Sequence, residues 1–276
     1  MRRIVVGILC LGFAGSAWAI PPLEAPLSAR AVGMGGALRA LARPAEAASL
    51  NPAAIGRKRG FFGGVSYLTR REDPFDALAI VAVDNATSPF GGAIQYLRLN
   101  GETDQERLSL GLAWGPPGQW WGTTVRYVHG RDPGETRWRD VVTADFAALF
   151  ERPGGLLIGV VGYNLVDTAL DALQPRLALA VASTALRPWI FEADLVRNLD
   201  RDVSRGIDLH LGMEYRVPRT PWRMWAGQMW RGDTGKDYAS AGVGWEGSAY
   251  RAGYALQKAR QRAGEWLHVF TVEGRF

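Results

Sequence analysis

The sequence predicts an all-β protein: a transmembrane antiparallel β-barrel of about fourteen strands, with a short N-terminal plug in its lumen. Three observations predict this fold. From Gly60 onward, segments of about ten residues alternate apolar with polar side chains, as the strands of membrane barrels do. Turn-forming residues divide these segments. After the N-terminal region no run of 18 apolar residues occurs, so a transmembrane helix is not expected.

The first 19 residues have the features of a secretory signal peptide. Arg2 and Arg3 precede a short apolar run, and Ala17 and Ala19 frame a cleavage site after Ala19. The run is too short to span a bilayer, which needs about 20 residues. The only cysteine lies inside this run, so we expect a mature chain without disulfides or thiolate metal sites. The predicted destination is the outer membrane of a Gram-negative cell.

Residues 60–276 are expected to form the barrel. The clearest alternation starts at Ile207, where Leu209 and Leu211 follow on one face and Asp208 and His210 lie on the other. Tight connections such as 115–118 should alternate with longer ones such as 130–138, because barrels have short periplasmic turns and longer outer loops. The strands are expected near 60–69, 75–84, 90–99, 106–114, 119–129, 139–150, 155–165, 176–185, 189–197, 206–217, 221–231, 237–246, 249–258 and 265–276.

Tryptophans cluster near the ends of the expected strands. Amphipathic rings at these positions are typical of the aromatic girdles at the two membrane interfaces. The alternative is a soluble β-sandwich with these rings in its core, although a sandwich would place more of them in mid-strand. The nine girdle candidates are Trp114, Trp120, Trp121, Trp138, Trp189, Trp222, Trp230, Trp245 and Trp266.

The last eleven residues form a strand with one apolar face and end in phenylalanine. Phe270 and Phe276 lie on the apolar face. This pattern resembles the signal read by the bacterial barrel-assembly machinery, which is therefore an expected partner together with outer-membrane lipid. The alternative is an ordinary half-buried strand that ends in Phe276 by chance.

Residues 20–59 do not alternate, and they form the predicted plug segment. A short helix is expected between Pro44, near its first turn, and Asn51-Pro52, which ends it. The cluster Gly33-Met34-Gly35-Gly36 is not a dinucleotide-binding loop, because no strand precedes it and no βαβ unit follows.

Two short motifs in this segment resemble the N-terminal region of FadL/PorV-like outer-membrane proteins. The motifs are Gly33, Met34, Gly35, Gly36 and, after the predicted helix, Asn51, Pro52, Ala53. The resemblance covers about 30 residues of 276. It implies a fourteen-stranded barrel with the N-terminal segment in its lumen. The chain departs from the family pattern at two places. Family members often have acidic residues where this chain has Arg43-Pro44, and an aromatic residue where it has Leu50.

Charged side chains recur on the polar face of several expected strands. One interpretation is functional: these charges line a polar path or hold the plug. The other is structural: they form cross-strand ion pairs, which are needed because few charges can face lipid. The candidates carried forward are Arg126, Asp145, Glu192, Asp194, Asp208, His210, Glu214 and Arg216. For the plug, Arg30, Arg39 and Arg43 could pair with Asp145, Glu192, Asp194 or Glu214.

The sequence gives no positive sign of catalysis, a metal or a cofactor. No nucleophile elbow occurs, and His129, His210 and His268 lack the spacing of metal ligands. We therefore expect a protein that is not an enzyme and has no metal site. Cleavage would remove Arg2 and Arg3 and lower the formal charge from +5 to about +3, which without a block of Lys and Arg is too mild to indicate nucleic acid as a partner.

The resemblance implies two functions of different classes. The first is passive transport of small hydrophobic compounds across the outer membrane. The alternative is a structural or partner-binding role of the PorV/PorQ type, in which a sealed barrel holds a secreted or surface protein. An apolar pocket that ends at a gap in the wall would favour transport, and a fully packed plug would favour the partner-binding role.

Overall fold

The computed structural model describes residues 27–70, 75–101, 104–132, 134–166, 170, 173–199, 206–232, 235–260 and 266–276. The predicted signal peptide lies outside these residues. Within them, antiparallel strands form one closed barrel in chain order, and the last strand pairs with the first. The fourteen strands are β1 (Phe61–Arg70), β2 (Phe75–Asp84), β3 (Gly91–Asn100), β4 (Gln105–Trp114), β5 (Gln119–Gly130), β6 (Arg139–Arg152), β7 (Leu156–Tyr163), β8 (Arg176–Ser183), β9 (Trp189–Asn198), β10 (Ile207–Arg216), β11 (Trp222–Arg231), β12 (Lys236–Glu246), β13 (Tyr250–Ala259) and β14 (Trp266–Arg275).

The predicted fold class is confirmed, and each predicted strand lies within two residues of the observed one. β7 ends earlier than predicted, for a local reason. Asn164 has a left-handed backbone with φ of 51°. Its N–H donates to the Asp145 carboxylate at 3.0 Å, so the strand cannot continue in the plane of the wall. The chain resumes pairing with β6 only at Leu165, whose N–H donates to the Ala144 carbonyl.

The wall has an outer face that suits lipid and an inner face of mixed character. Along β9, Phe191 and Leu195 are exposed, whereas the intervening Glu192 and Asp194 are buried. Closing the sheet pairs every strand edge, which a wall in hydrocarbon requires. One girdle candidate is wrong: Trp120 is buried. It follows the period of two, because Trp121 occupies the outer face and its neighbour must point inward.

The predicted alternation of connection lengths is confirmed from β4 to β10. At the end that carries the longer loops, however, the connections β1–β2, β3–β4 and β11–β12 have only four residues each. One end of the barrel carries compact turns such as 115–118 and 247–249, and the other carries longer loops such as 131–138 and 164–175. β1 begins and β14 ends at the compact end, which is called the short-turn end below. The opposite end is called the loop end. The N–H of Phe276 donates to the Phe61 carbonyl at 3.0 Å, so the final residue helps to close the ring there.

Residues 27–57, called the interior segment below, lie inside the barrel. The segment contains α1 (Ala29–Gly33), α2 (Pro44–Leu50) and a 3₁₀ helix (Pro52–Arg57). α1 packs against β11 to β14, α2 against β1 to β4, and the 3₁₀ helix against β3 to β6. These contacts extend around the ring from β11 through β14 and on from β1 to β6. Among the residues described, no helix is long and apolar enough to cross a membrane.

Local sequence explains where these short helices begin and end. The Ser28 hydroxyl accepts a hydrogen bond from the Ala31 N–H and caps α1. Pro44 opens α2 at a position where its missing N–H costs nothing. The Glu46 carboxylate accepts from the Arg43 N–H at 2.9 Å. The helix ends at Asn51, as predicted, because Pro52 follows.

Candidate functional site

The Gly33-Met34-Gly35-Gly36 motif lies where the backbone of the interior segment packs directly on the barrel wall. Gly35 and Gly36 have φ values of 66° and 83°, which favour glycine. The motif packs on Gly212 of β10 and Gly227 of β11, which pair with each other. A Cβ on either wall glycine would lie under 3.0 Å from Met34 or Gly35 backbone atoms. Glycine is therefore needed on both sides of this contact.

The second motif fixes the other end of the segment. Asn51 is fully buried. Its side-chain amide donates to the Arg39 carbonyl at 2.8 Å, and its side-chain oxygen accepts from the Ala53 N–H at 3.1 Å. Pro52 and Ala53 then pack on Gly122 of β5, where a Cβ would lie under 3.0 Å from their backbone atoms. Asn51 thus ties the segment to itself while Pro52 and Ala53 dock it on the wall.

Gly122→Ala is expected to loosen the interior segment without opening the barrel. The new methyl group would meet rigid backbone of Pro52 and Ala53 rather than a flexible side chain, so the segment must move away. Limited proteolysis should then cleave the N-terminal region faster, while unboiled protein still migrates as a folded barrel on a detergent gel. Gly92→Ala is the control, because the nearest atom to its Cβ lies 3.9 Å away. Equal cleavage of the two variants would contradict the docking role of Gly122.

Arg30 connects the segment to the wall through two buried carboxylates. Its Nε donates to Glu214 of β10 at 2.7 Å, and its Nη1 donates to Glu46 of α2 at 3.0 Å. The side chains of all three are at most 5 % exposed. The Ser28 hydroxyl also donates to Glu46 at 3.2 Å. One guanidinium therefore holds α1, α2 and the wall together.

A second ion pair anchors the middle of the segment. The Arg39 Nη1 donates to Asp194 of β9 at 2.9 Å, and its Nε donates to the Tyr163 hydroxyl at 2.9 Å. The neighbouring Glu192 carboxylate accepts the backbone N–H groups of Ala40 and Leu41 at 2.6 and 3.0 Å. Both predicted carboxylates of β9 therefore bind the interior segment. Asp194 binds an arginine side chain, and Glu192 binds backbone N–H groups.

Arg43 pairs with a carboxylate that the sequence analysis did not consider. Its Nη2 lies 3.0 Å from Glu246, at the end of β12. Glu246 is followed by Gly247 and Ser248, which indicate a turn. The sequence analysis therefore assigned Glu246 to a turn and did not expect its side chain to point into the barrel. Asp145, an expected partner of the segment, instead pairs within the wall with Arg126, whose Nη1 donates to it at 2.6 Å.

The eight candidate lumen charges separate into two sets by what they contact. Four touch the interior segment; the His210 Nδ1, for example, lies 3.0 Å from the Gly35 carbonyl oxygen. The other four pair with other residues of the wall, as Asp208 does with Arg231 at 3.9 Å and Arg216 with Glu214 at 3.0 Å. The first set is Glu192, Asp194, His210 and Glu214; the second is Arg126, Asp145, Asp208 and Arg216.

An apolar area covers part of the inner wall toward the loop end. It extends over four neighbouring strands, because Val269 of β14 pairs with Leu68, Leu68 with Ala77, and Ala77 with Leu99 of β3. We call it the apolar sector. All of its side chains are buried, and its members are Leu68, Phe75, Ala77, Ala79, Leu97, Leu99, Leu267 and Val269. This feature was not predicted from the sequence.

The sector borders a polar strip on the next two strands. Gln105 and Ser109 of β4 and Thr124 of β5 are buried. Within the part of the chain that the structure describes, their side-chain polar atoms have no hydrogen-bond partner. Buried polar groups of this kind are usually satisfied by water. A water molecule or a polar solute at the border of the apolar sector would therefore satisfy these side chains.

Comparison with known proteins identifies relatives by structure only. No protein-family model matches the chain, and no curated protein matches its sequence. The toluene transporter TbuX of Ralstonia pickettii superimposes with a TM-score of 0.65 and 12% identity, covering 92% of this chain and 99% of that one. The monoaromatic hydrocarbon channel TodX, as a deltaS2 mutant, gives 0.66 and 10%, with coverages of 92% and 99%.

A FadL homologue of Pseudomonas aeruginosa is similar to the same extent. Its TM-score is 0.62 at 10% identity, covering 90% of this chain and 98% of that one. These matches extend over nearly the whole of each compared chain. They agree with the closed ring of fourteen strands. The protein therefore has the fold of the FadL-type outer-membrane β-barrels.

Proposed function

We propose that the protein is exported to the outer membrane and there mediates passive transport of small hydrophobic compounds. The apolar sector carries this proposal. The interior of a water-filled porin is polar, whereas here eight apolar side chains form a continuous inner surface toward the loop end. Such a surface lowers the free energy of an apolar solute that leaves water, by about 25 cal/mol for each Å² of apolar surface buried.

Two further observations support transport. The polar strip of Gln105, Ser109 and Thr124 lies directly beside the sector, and a water or polar solute that reached it would satisfy side-chain atoms that have no partner among the described residues. TbuX is a toluene transporter and TodX a monoaromatic hydrocarbon channel. We take their cargo class as the class to test first for this chain.

A second candidate is the partner-binding role. The interior segment favours it, because its backbone packs on wall glycines and its arginines form buried ion pairs. A barrel whose interior segment is held this firmly would suit a platform for a secreted or surface protein. The two candidates differ in one measurable property, the rate at which a hydrophobic solute enters cells that carry the protein.

Leu97→Asn is expected to slow the uptake of toluene. Leu97 of β3 is 2 % exposed in the apolar sector, where it pairs with Ala79, and an amide there would raise the cost of placing an apolar solute against the wall. Uptake of labelled toluene should be faster in cells with the intact protein than without it, and severalfold slower again with Leu97→Asn. Val196→Asn is the matched control, because Val196 is also buried and inward but lies on β9, outside the sector.

Outer-membrane levels of the three proteins must be equal for this comparison. If the intact protein does not accelerate uptake, the partner-binding role replaces transport. If Leu97→Asn and Val196→Asn slow uptake equally, transport stands but the apolar sector is not its path.

A further inference from the structure

The short-turn end of the barrel has a large excess of positive charge at its surface. Eleven Lys and Arg side chains there are at least partly exposed, against three carboxylates, those of Asp84, Glu151 and Glu246. Five of the eleven form ion pairs with carboxylates, namely Arg43, Arg57, Arg216, Arg223 and Arg251. The other six form none among the described residues; they are Lys58, Arg59, Arg152, Arg187, Arg219 and Arg275.

Buried carboxylates beneath this surface do not cancel the excess. Glu46, Glu214 and Glu273 lie there together with Arg30, so this end has twelve cationic side chains and six carboxylates among the described residues. The whole chain has 32 Lys and Arg and 27 Asp and Glu. The remaining 20 and 21 balance, so the net positive charge of the protein comes from this end.

Six of these cations form an arc around the mouth of the lumen. They are distributed from the β10–β11 turn to the start of β1, along strands that follow one another in the ring. Neighbouring strands are about 4.8 Å apart, so the five steps from β10 to β1 span about 24 Å. Burial lowers the pKa of the Lys58 amine, and the positive charges of Arg251 and Arg275 lower it further, which places these cations near one another. We call the arc the basic rim; its members are Lys58, Arg59, Arg219, Arg223, Arg251 and Arg275.

The basic rim faces the axis of the barrel rather than the surrounding lipid. Arg275 pairs with Phe62, whose side chain is buried on the inner face, and directly opposite residues of two strands share a face. Arg223 lies between Trp222 and Met224, which are exposed on the outer face, so its side chain points inward. Lipid phosphates lie around the outside of the wall. An occupant of the basic rim must therefore approach along the axis from the aqueous compartment.

We propose that the basic rim is a docking surface for an acidic segment of a soluble protein, which approaches from the periplasm, the side of the short turns in barrels of this kind. A span of about 24 Å is too long for one small anion to cover, but it matches about seven residues of extended chain. Opposite charges steer such a segment to the mouth and fix its orientation there. The inference uses the proposed outer-membrane location, and it holds for any cargo or for none.

The probe is a fluorescent deca-glutamate peptide titrated into the purified full chain in nonionic detergent, with fluorescence anisotropy as the readout. We expect saturable binding that weakens as NaCl is raised, and no binding of deca-glutamine. Combining Lys58→Gln, Arg219→Gln and Arg275→Gln should lower the affinity about tenfold, because several exposed charge contacts are lost together. Among the described residues these three side chains form no ion pair or hydrogen bond, so their replacement leaves the barrel's own contacts intact.

The matched control combines Arg98→Gln, Arg197→Gln and Arg260→Gln, which replace three exposed arginines at the loop end. It removes the same charge, so it separates the basic rim from the net charge of the protein. Each variant must still show the unboiled migration of a closed barrel. The proposal is overturned if deca-glutamate does not bind, or if the two triple variants change its affinity equally. It is also overturned if the rim variant keeps its affinity for the peptide but loses phosphatidylglycerol that copurifies with the intact protein, since the rim would then contact lipid.

Discussion

Deleting residues 21–50 is expected to leave a barrel that inserts normally and conducts ions far better than the intact protein. The ladder of backbone hydrogen bonds joins strand to strand around the whole ring, and α1 and α2 contribute nothing to it. The wall should therefore close without them. Removing both helices empties the part of the lumen where Arg30 and Arg39 now reach the inner wall. Single-channel current in planar bilayers measures the effect.

The deletion also removes the interior-segment partners of Glu192 and Asp194, and it leaves Glu214 with Arg216 of the wall but without Arg30. Water entering the emptied lumen can solvate them, so we expect lower stability but retained closure. Unboiled migration on a detergent gel checks closure separately from conductance. Equal conductance of the intact and shortened proteins would mean that the interior segment does not close the lumen, and the predicted plug would then be wrong.

The strands were predictable because apolar and polar residues alternate in most of the fourteen segments, and turn-forming residues separate the segments. Where the outer face carries leucine and the inner face carries aspartate or glutamate, as in β9 and β10, alternation alone assigns the direction of each side chain. β2 is different. Its residues from Ala77 to Val83 are all apolar, so sequence gives no inner and outer face, and the apolar sector that includes Ala77 and Ala79 was missed for this reason.

The contacts between the interior segment and the wall could be predicted from the sequence only where they involve charged residues. The pairing of Arg30 with Glu214 and of Arg39 with Asp194 lay among the combinations expected for the interior segment, because few buried partners were available. The wall glycines Gly122, Gly212 and Gly227 gave no such signal. A glycine in a strand has no side chain to assign to a face, and the close approach that requires it is visible only when both backbones are placed.

Arg30→Met is expected to be the most destabilising single substitution in the interior segment. Its guanidinium is the shared partner of Glu46 and Glu214, which are 2 % and 0 % exposed. Methionine fills a similar volume but leaves two buried carboxylates without their main counter-charge. Breaking a buried ion pair in this way costs about 3–5 kcal/mol. Denaturant unfolding in lipid vesicles measures the change in the free energy of unfolding.

Two comparisons isolate the charge from the packing. Arg57→Met removes a more exposed ion pair with Glu151 at 3.4 Å, for which the cost should be about 0–1 kcal/mol. Combining Arg30→Met with Glu46→Gln and Glu214→Gln removes the stranded charges while keeping the shapes. This triple variant should recover much of the loss, because neutral amides are far less costly to bury than ions. If Arg30→Met costs no more than Arg57→Met, the interior segment is held by its glycine contacts alone, and its ion pairs do not keep it in the barrel.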